Sequence, residues 1–141
     1  MKKRKNFWIC SLTVIGFVLM LSGCCKCDEN DDPPASQVPV FTVTAKTVML
    51  QGGGDGLQFT AKCTNEDVMM TKVTNTSPIS AESFTYELNG KSYAKNSPIP
   101  LQDDSEAFFK ELGTWTFTFV GNTASDNKSF SVNATLSVTK K

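Results

Sequence analysis

Residues 129–138 read Ser129-Phe130-Ser131-Val132-Asn133-Ala134-Thr135-Leu136-Ser137-Val138, with polar and apolar side chains alternating without a fault. In an extended chain successive side chains point to opposite faces, so this stretch presents one face to a core and one to water. Wound as a helix, the same residues would scatter their apolar groups around the whole circumference. Leu57-Gln58-Phe59-Thr60-Ala61-Lys62-Cys63-Thr64 alternates in the same way, and so does Thr114-Trp115-Thr116-Phe117-Thr118-Phe119. One dry face and one wet face is the pattern of antiparallel sheets. Strands of a parallel sheet, buried on both sides, read as continuous apolar runs instead.

Working outward, further strands are expected at Val40–Leu50, Val68–Thr74 and Phe84–Leu88. Asn89-Gly90 is a type I′ turn signal, which predicts a hairpin pairing Thr85–Leu88 with Lys91–Ala94. Gly52-Gly53-Gly54-Asp55-Gly56 lacks the Gly-Lys-Ser/Thr of a phosphate loop and precedes a strand, so it reads as a mobile turn. The one helical candidate is Asp103–Leu112, a turn or two with Ser105 as a cap. The fold class expected for residues 38–141 is therefore all-β, a single antiparallel β-sandwich. A chain of 141 residues has room for one such core.

The N-terminus has a different character. Lys2, Lys3, Arg4 and Lys5 precede an apolar run from Phe7 to Leu21, the length of a signal h-region and short for a membrane span. The run ends in Leu21-Ser22-Gly23-Cys24, which resembles the lipobox of bacterial lipoproteins. Leucine fills an apolar subsite three residues before the cut, small Ser22 and Gly23 admit the peptidase, and the Cys24 thiol receives the lipid. The resemblance implies a signal peptide over 1–23 and a membrane anchor on Cys24. Each buried methylene of the acyl chains adds about 0.8 kcal/mol of membrane affinity.

Residues 24–37 are charged, Pro-containing and aperiodic, and read as a flexible acidic tether. Lys26 followed by Asp28, Glu29, Asp31 and Asp32 resembles the export signal of Bacteroidetes lipoproteins, which implies an outer-membrane location facing the cell exterior. Without the four basic residues of the signal, 10 basic side chains stand against 14 acidic ones. A nucleic-acid partner is not expected on such a surface. Of the five cysteines, Cys10 leaves with the signal and Cys24 is acylated, so Cys25, Cys27 and Cys63 remain, with Cys63 read as a buried small hydrophobe.

Glu111-Leu112-Gly113-Thr114-Trp115-Thr116-Phe117 resembles the Asp-x-Gly-x-Tyr-x-Cys start of strand F in immunoglobulin-like domains. Trp115 stands in the place of the corner tyrosine and Phe117 in that of the second disulfide cysteine. The resemblance covers residues 38–141 and is to bacterial immunoglobulin-like modules, in which an apolar pair replaces the disulfide. It implies that Cys63, on strand B, packs against Phe117. The core would rest on Phe59, Trp115, Phe117, Phe119, Phe130, Val132 and Leu136.

The chain has no histidine, which removes Ser-His-Asp and Cys-His nucleophiles and imidazole metal sites. Asp103-Asp104 with Glu106, and Glu66-Asp67, are the carboxylate sets that a glycosidase or a calcium loop would need. Both lie in polar turn-like stretches without calcium-loop spacing and read as solvated loop acids. No catalytic residue, cofactor or metal site is expected. Two function classes remain: a display or adhesion module that binds a protein through a sheet face or strand edge, and a carbohydrate-binding lipoprotein accompanying glycan uptake. The second needs exposed aromatic platforms, for which Tyr86 and Tyr93 are the candidates.

Overall fold

The computed structural model describes residues 37–140, so the signal segment, Cys24, Cys25, Cys27 and the acidic run lie outside the described residues. Eight strands form: β1 (Phe41–Met49), β2 (Asp55–Cys63), β3 (Val68–Thr76), β4 (Ser83–Tyr93), β5 (Ile99–Pro100), β6 (Phe108–Phe109), β7 (Gly113–Thr123) and β8 (Ser129–Val138). In the first sheet β2 is central, with β1 on one side and the short β5 and β6 on the other. The second sheet runs β4-β3-β7-β8. All pairings are antiparallel. The result is the two-sheet antiparallel sandwich expected from the alternation, immunoglobulin-like in its order of strands.

The inward rows of β2 and β7 make the core. Phe59 lies 4.8 Å from Trp115 and 5.0 Å from Phe117, centroid to centroid, while Phe41 stacks on Phe119 at 4.1 Å. Burying one such side chain stabilises by about 1.5 to 3 kcal/mol. The Trp115 indole N–H donates to the carbonyl of Glu111 at 3.1 Å, reaching back upstream as a corner tyrosine does. Asn75, fully buried on β3, donates from Nδ2 to the carbonyl of Leu101 at 2.9 Å, on the segment just after β5. Phe130, Val132 and Leu136 are only half-buried, because β8 is an edge strand.

Two glycines are dictated by geometry. A Cβ on Gly121 would come 2.2 Å from the Met69 carbonyl oxygen, where β3 bulges at Thr71 against β7. Gly113 opens β7 at φ 129°, and a Cβ there would meet the Pro78 side chain at 2.9 Å.

Three expectations are corrected. Asn89-Gly90 does not turn the chain back. β4 runs through it along β3, with Glu87 opposite Lys72 and Lys91 opposite Met70, so Leu88, Asn89 and Gly90 together face Thr71 alone. Both residues do take positive φ, 52° and 74°, but in a bulge. That bulge places Leu88 and Tyr93 inside, each 7% exposed, and their burial outweighs the local turn preference. Asp103–Leu112 forms no helix. Phe108 and Phe109 pair with β2, and Phe108 packs on Phe59, Phe84 and Trp115.

The partner of Phe117 is Phe59, not Cys63. Cys63 sits four residues further along β2, roughly 13 Å away, opposite Phe41. It is nonetheless buried, at 1% exposure. A thiol reagent should therefore leave Cys63 unmodified in the native protein and label it at the rate of unfolding, read by mass spectrometry against denaturant.

Candidate functional site

The end of the sandwich opposite Gln37 is hollow. β1 carries the chain about 26 Å from Phe41 to Met49. The turn into β2 is made by Gly52, Gly53 and Gly54, all at positive φ, and is closed by Leu50 N–H to Gly54 O (3.0 Å) and Gly53 N–H to Leu50 O (3.1 Å). Beside this turn opens a hollow of about 1220 Å³. Trp115 and Phe108, 5.7 Å apart, line its inner side, and Phe84 stands 5.1 Å from Phe108.

The opposite flank is the segment after β5. Gln58 holds it, donating from Nε2 to the carbonyls of Asp104 (2.9 Å) and Glu106 (3.2 Å). Gln102, 5% exposed, accepts from the Phe59 N–H at 3.1 Å and donates to the Leu57 carbonyl at 3.2 Å. Its amide thereby bridges the gap along β2 between β5 and β6.

Apolar groups stand open around this end. Met49 is 87% exposed, Phe109 76% and Phe84 44%, and all three line the hollow. Ile79 and Leu112 are exposed beside it, next to Glu111, whose carboxylate accepts from the Ile79 N–H at 3.2 Å. Glu82, Glu106 and Glu111 also line it, and among the lining residues there is no lysine or arginine. Lys110, on the nearby β6–β7 connection, is already bonded to Asp55 at 3.2 Å. The hollow is apolar inside and acidic at its edge. Met49 and Phe109 escaped the sequence reading; the one signal was the adjacent pair Phe108-Phe109, which breaks the alternation so that one ring faces in and the other out.

The two tyrosines are arranged differently. Tyr93 is 7% exposed, its hydroxyl has no partner among the described residues, and the Lys91 ammonium lies 5.4 Å from its ring centroid. Tyr86 is half-buried against the core beside Asp103. Burial, first, then the carboxylates of Asp103, Asp104 and Glu106 push its phenol pKa up; burial and the neighbouring Tyr86 do the same to Tyr93. Asp103, Asp104 and Glu106 thus stand near Tyr86. Glu66 and Asp67 lie at the other end of the sandwich, just after Cys63, where Asp67 accepts from the Lys95 N–H at 2.7 Å. The two acid sets do not face one another. Among the described residues no cluster of acids and cysteines is placed to hold a metal ion.

Glu66 is held unfavourably. One carboxylate oxygen is buried without a partner, and burial, with Asp126 nearby, raises its pKa above the ordinary 4.5. A carboxyl whose folded pKa is raised contributes stability below the unfolded pKa and loses it as the pH climbs through the folded one. Glu66→Gln should therefore stabilise the protein at pH 7, by no more than about 1 kcal/mol for a part-exposed group. The gain should shrink toward pH 4.5 in thermal melts.

Compared with known proteins, the chain matches no family model, no curated protein and no solved structure.

Proposed function

We propose that the chain is a lipid-anchored protein of the outer membrane, displayed to the cell exterior, whose immunoglobulin-like sandwich is a non-catalytic module that binds a protein partner at the hollow. The observation that carries this reading is the set of exposed apolar side chains, Met49, Phe84 and Phe109 with Ile79 and Leu112, gathered at the end farthest from residue 37. Apolar groups rimmed by polar ones mark interaction sites. A domain tethered through its N-terminal side presents that end outward. The anchor itself rests on Leu21-Ser22-Gly23-Cys24, and the outward orientation on Lys26 and the four acids that follow it.

The acidic edge selects the partner's chemistry. An apolar segment carrying lysine or arginine would fill the hollow and meet Glu82, Glu106 and Glu111, whereas an acidic segment would be repelled. The glycan-binding alternative has less support, since Tyr93 offers almost no ring face to a sugar and Tyr86 is packed against the core under loop acids.

Selecting a displayed random-peptide library on the protein tests the site. Enriched peptides should combine aromatic or aliphatic residues with lysine or arginine. Their binding should fall at least tenfold in the doubly substituted Met49→Ser, Phe109→Ser protein, a loss of about 1.4 kcal/mol. Both side chains are exposed, so its melting temperature should stay unchanged. Peptides that bind the variant and the parent equally would remove the hollow as the site.

A further inference from the structure

Asn89-Gly90 does not reverse the chain, and the fold leaves its chemistry open. The main-chain nitrogen after an asparagine can attack the asparagine's own side-chain amide carbon, closing a cyclic imide and expelling ammonia. A side chain on the following residue crowds that nitrogen, and glycine has none. The nitrogen must also be released from any hydrogen bond that holds it, and water must reach the ring to open it.

β4 supplies these conditions at one place. Its pairing with β3 stops at Glu87 opposite Lys72 and resumes at Lys91 opposite Met70, so Leu88, Asn89 and Gly90 have no register partners of their own. Asn89 and Gly90 are both exposed, and a Cβ on Gly90 would meet nothing within 4 Å beyond its chain neighbours. Solvent therefore stands around the reacting pair.

The other described asparagines are held. Asn96 and Asn127 also take positive φ, 64° and 54°. After them, the Ser97 N–H donates to the Ala94 carbonyl and the Lys128 N–H to the Thr123 hydroxyl oxygen, each at 2.9 Å. The Asn65 side chain accepts from the Val40 N–H and donates to the Val38 carbonyl. Asn75 is completely buried, and Asn122 and Asn133 lie in the unbroken register of β7 with β8.

We propose that Asn89 is a site of spontaneous deamidation. The Gly90 nitrogen bonds to Cγ of Asn89, and its proton passes through solvent to Nδ2, which leaves as ammonia. Water then opens the imide. Breaking the bond from nitrogen to Cγ gives aspartate. Breaking the bond from nitrogen to the backbone carbonyl carbon gives isoaspartate, whose main chain runs through the side-chain methylene. No oxidant or reductant takes part. Either product sets a new carboxylate close along the strand to Glu87. Isoaspartate also lengthens the main chain inside the bulge that seats Leu88 and Tyr93, each 7% exposed. Asn89 does not line the hollow, so this site is separate from it.

The test holds the folded full chain, in detergent, in warm and mildly alkaline buffer and follows each asparagine by peptide mass spectrometry. The peptide carrying Asn89 should gain the mass difference between an amide and an acid, and split into aspartyl and isoaspartyl forms. Asn96 and Asn127 should lag by about tenfold, the rate equivalent of one backbone hydrogen bond. Asn89→Gln, whose longer side chain closes a larger and less favoured ring, should stay unmodified at that position. The converted protein, separated by ion exchange, should melt below Asn89→Asp, which carries the same charge on an unlengthened main chain. An Asn89 that persists in the folded chain overturns the proposal, whether or not it converts in urea. Conversion no faster than at Asn96 and Asn127 does the same. A converted protein that melts with Asn89→Asp contradicts the lengthened bulge.

Discussion

Phe117→Ala should lower the free energy of unfolding by about 3 to 5 kcal/mol, the usual cost of truncating a large aromatic in a core. Phe117 is completely buried at the middle of β7, between Asn75 of β3 and Ala134 of β8, and meets the Phe59 ring edge-on at 5.0 Å and 70°. Truncation removes that ring pair, worth about 0.5 to 1.5 kcal/mol beyond burial, and opens a cavity that the sheets on either side cannot collapse to fill. Against a total stability of about 5 to 15 kcal/mol, such a loss is a large fraction of the whole. Urea denaturation reads it directly as a fall in midpoint with an unchanged slope. Phe117→Leu keeps most of the volume and should cost well under half as much. Equal losses in the two variants would mean that the ring pair with Phe59, and not the filled volume, is what Phe117 supplies.

Gln102→Ala should be comparably damaging for a different reason. The Gln102 amide stands where a neighbouring strand would run, satisfying the Phe59 N–H and the Leu57 carbonyl of two residues that are each 2% exposed. Alanine leaves both backbone groups unpaired, at about 1 to 3 kcal/mol each, so a total of about 2 to 6 kcal/mol is expected. Gln102→Glu separates hydrogen bonding from packing. At neutral pH its carboxylate has no donor for the Leu57 carbonyl, and burial disfavours the charge. The protonated acid can donate, so the folded state raises the pKa of the new group. Its contribution is then full below the unfolded value and is lost as the pH rises through the folded one. This variant should regain stability on acidification relative to wild type, and Gln102→Ala should not.

Much of this architecture was legible because alternation is a direct image of the pleat. In β2, β7 and β8 the inward residues were readable one by one, and Trp115 could be placed at its corner from the resemblance of Glu111–Phe117 to the start of strand F in immunoglobulin-like domains. What failed was decided by distant partners. Asn89-Gly90 carries the right backbone angles for a hairpin, yet the burial of Leu88 and Tyr93 turns the same two residues into a bulge. The pairing of Cys63 with Phe117 followed the immunoglobulin spacing, but the match of β2 to β7 is set by Phe59 beneath Trp115 and Phe117.

The functional surfaces were less legible still. Gln102 has no signature in sequence, because an amide imitates a strand only where β5 and β6 leave a gap along β2. Met49 and Phe109 lie more than fifty residues apart, and only the β1–β2 turn and the β6 pairing bring both to one hollow. Tyr86 and Tyr93, seven residues apart, are the sequence's platform candidates, though cross-strand packing is the commoner role for such residues, and they are packed against the core or buried.

The reading of this chain as a displayed binding module stands or falls on its anchor. Mass spectrometry of the N-terminal peptide, from protein purified out of membranes, tests it most directly. The expected mass is that of a chain beginning at Cys24, with a diacylglycerol on its sulfur and an acyl chain on its amine, and Cys24→Ala should leave the chain unlipidated. A mature chain that begins elsewhere, or one that begins at Cys24 with a free thiol, would contradict the account.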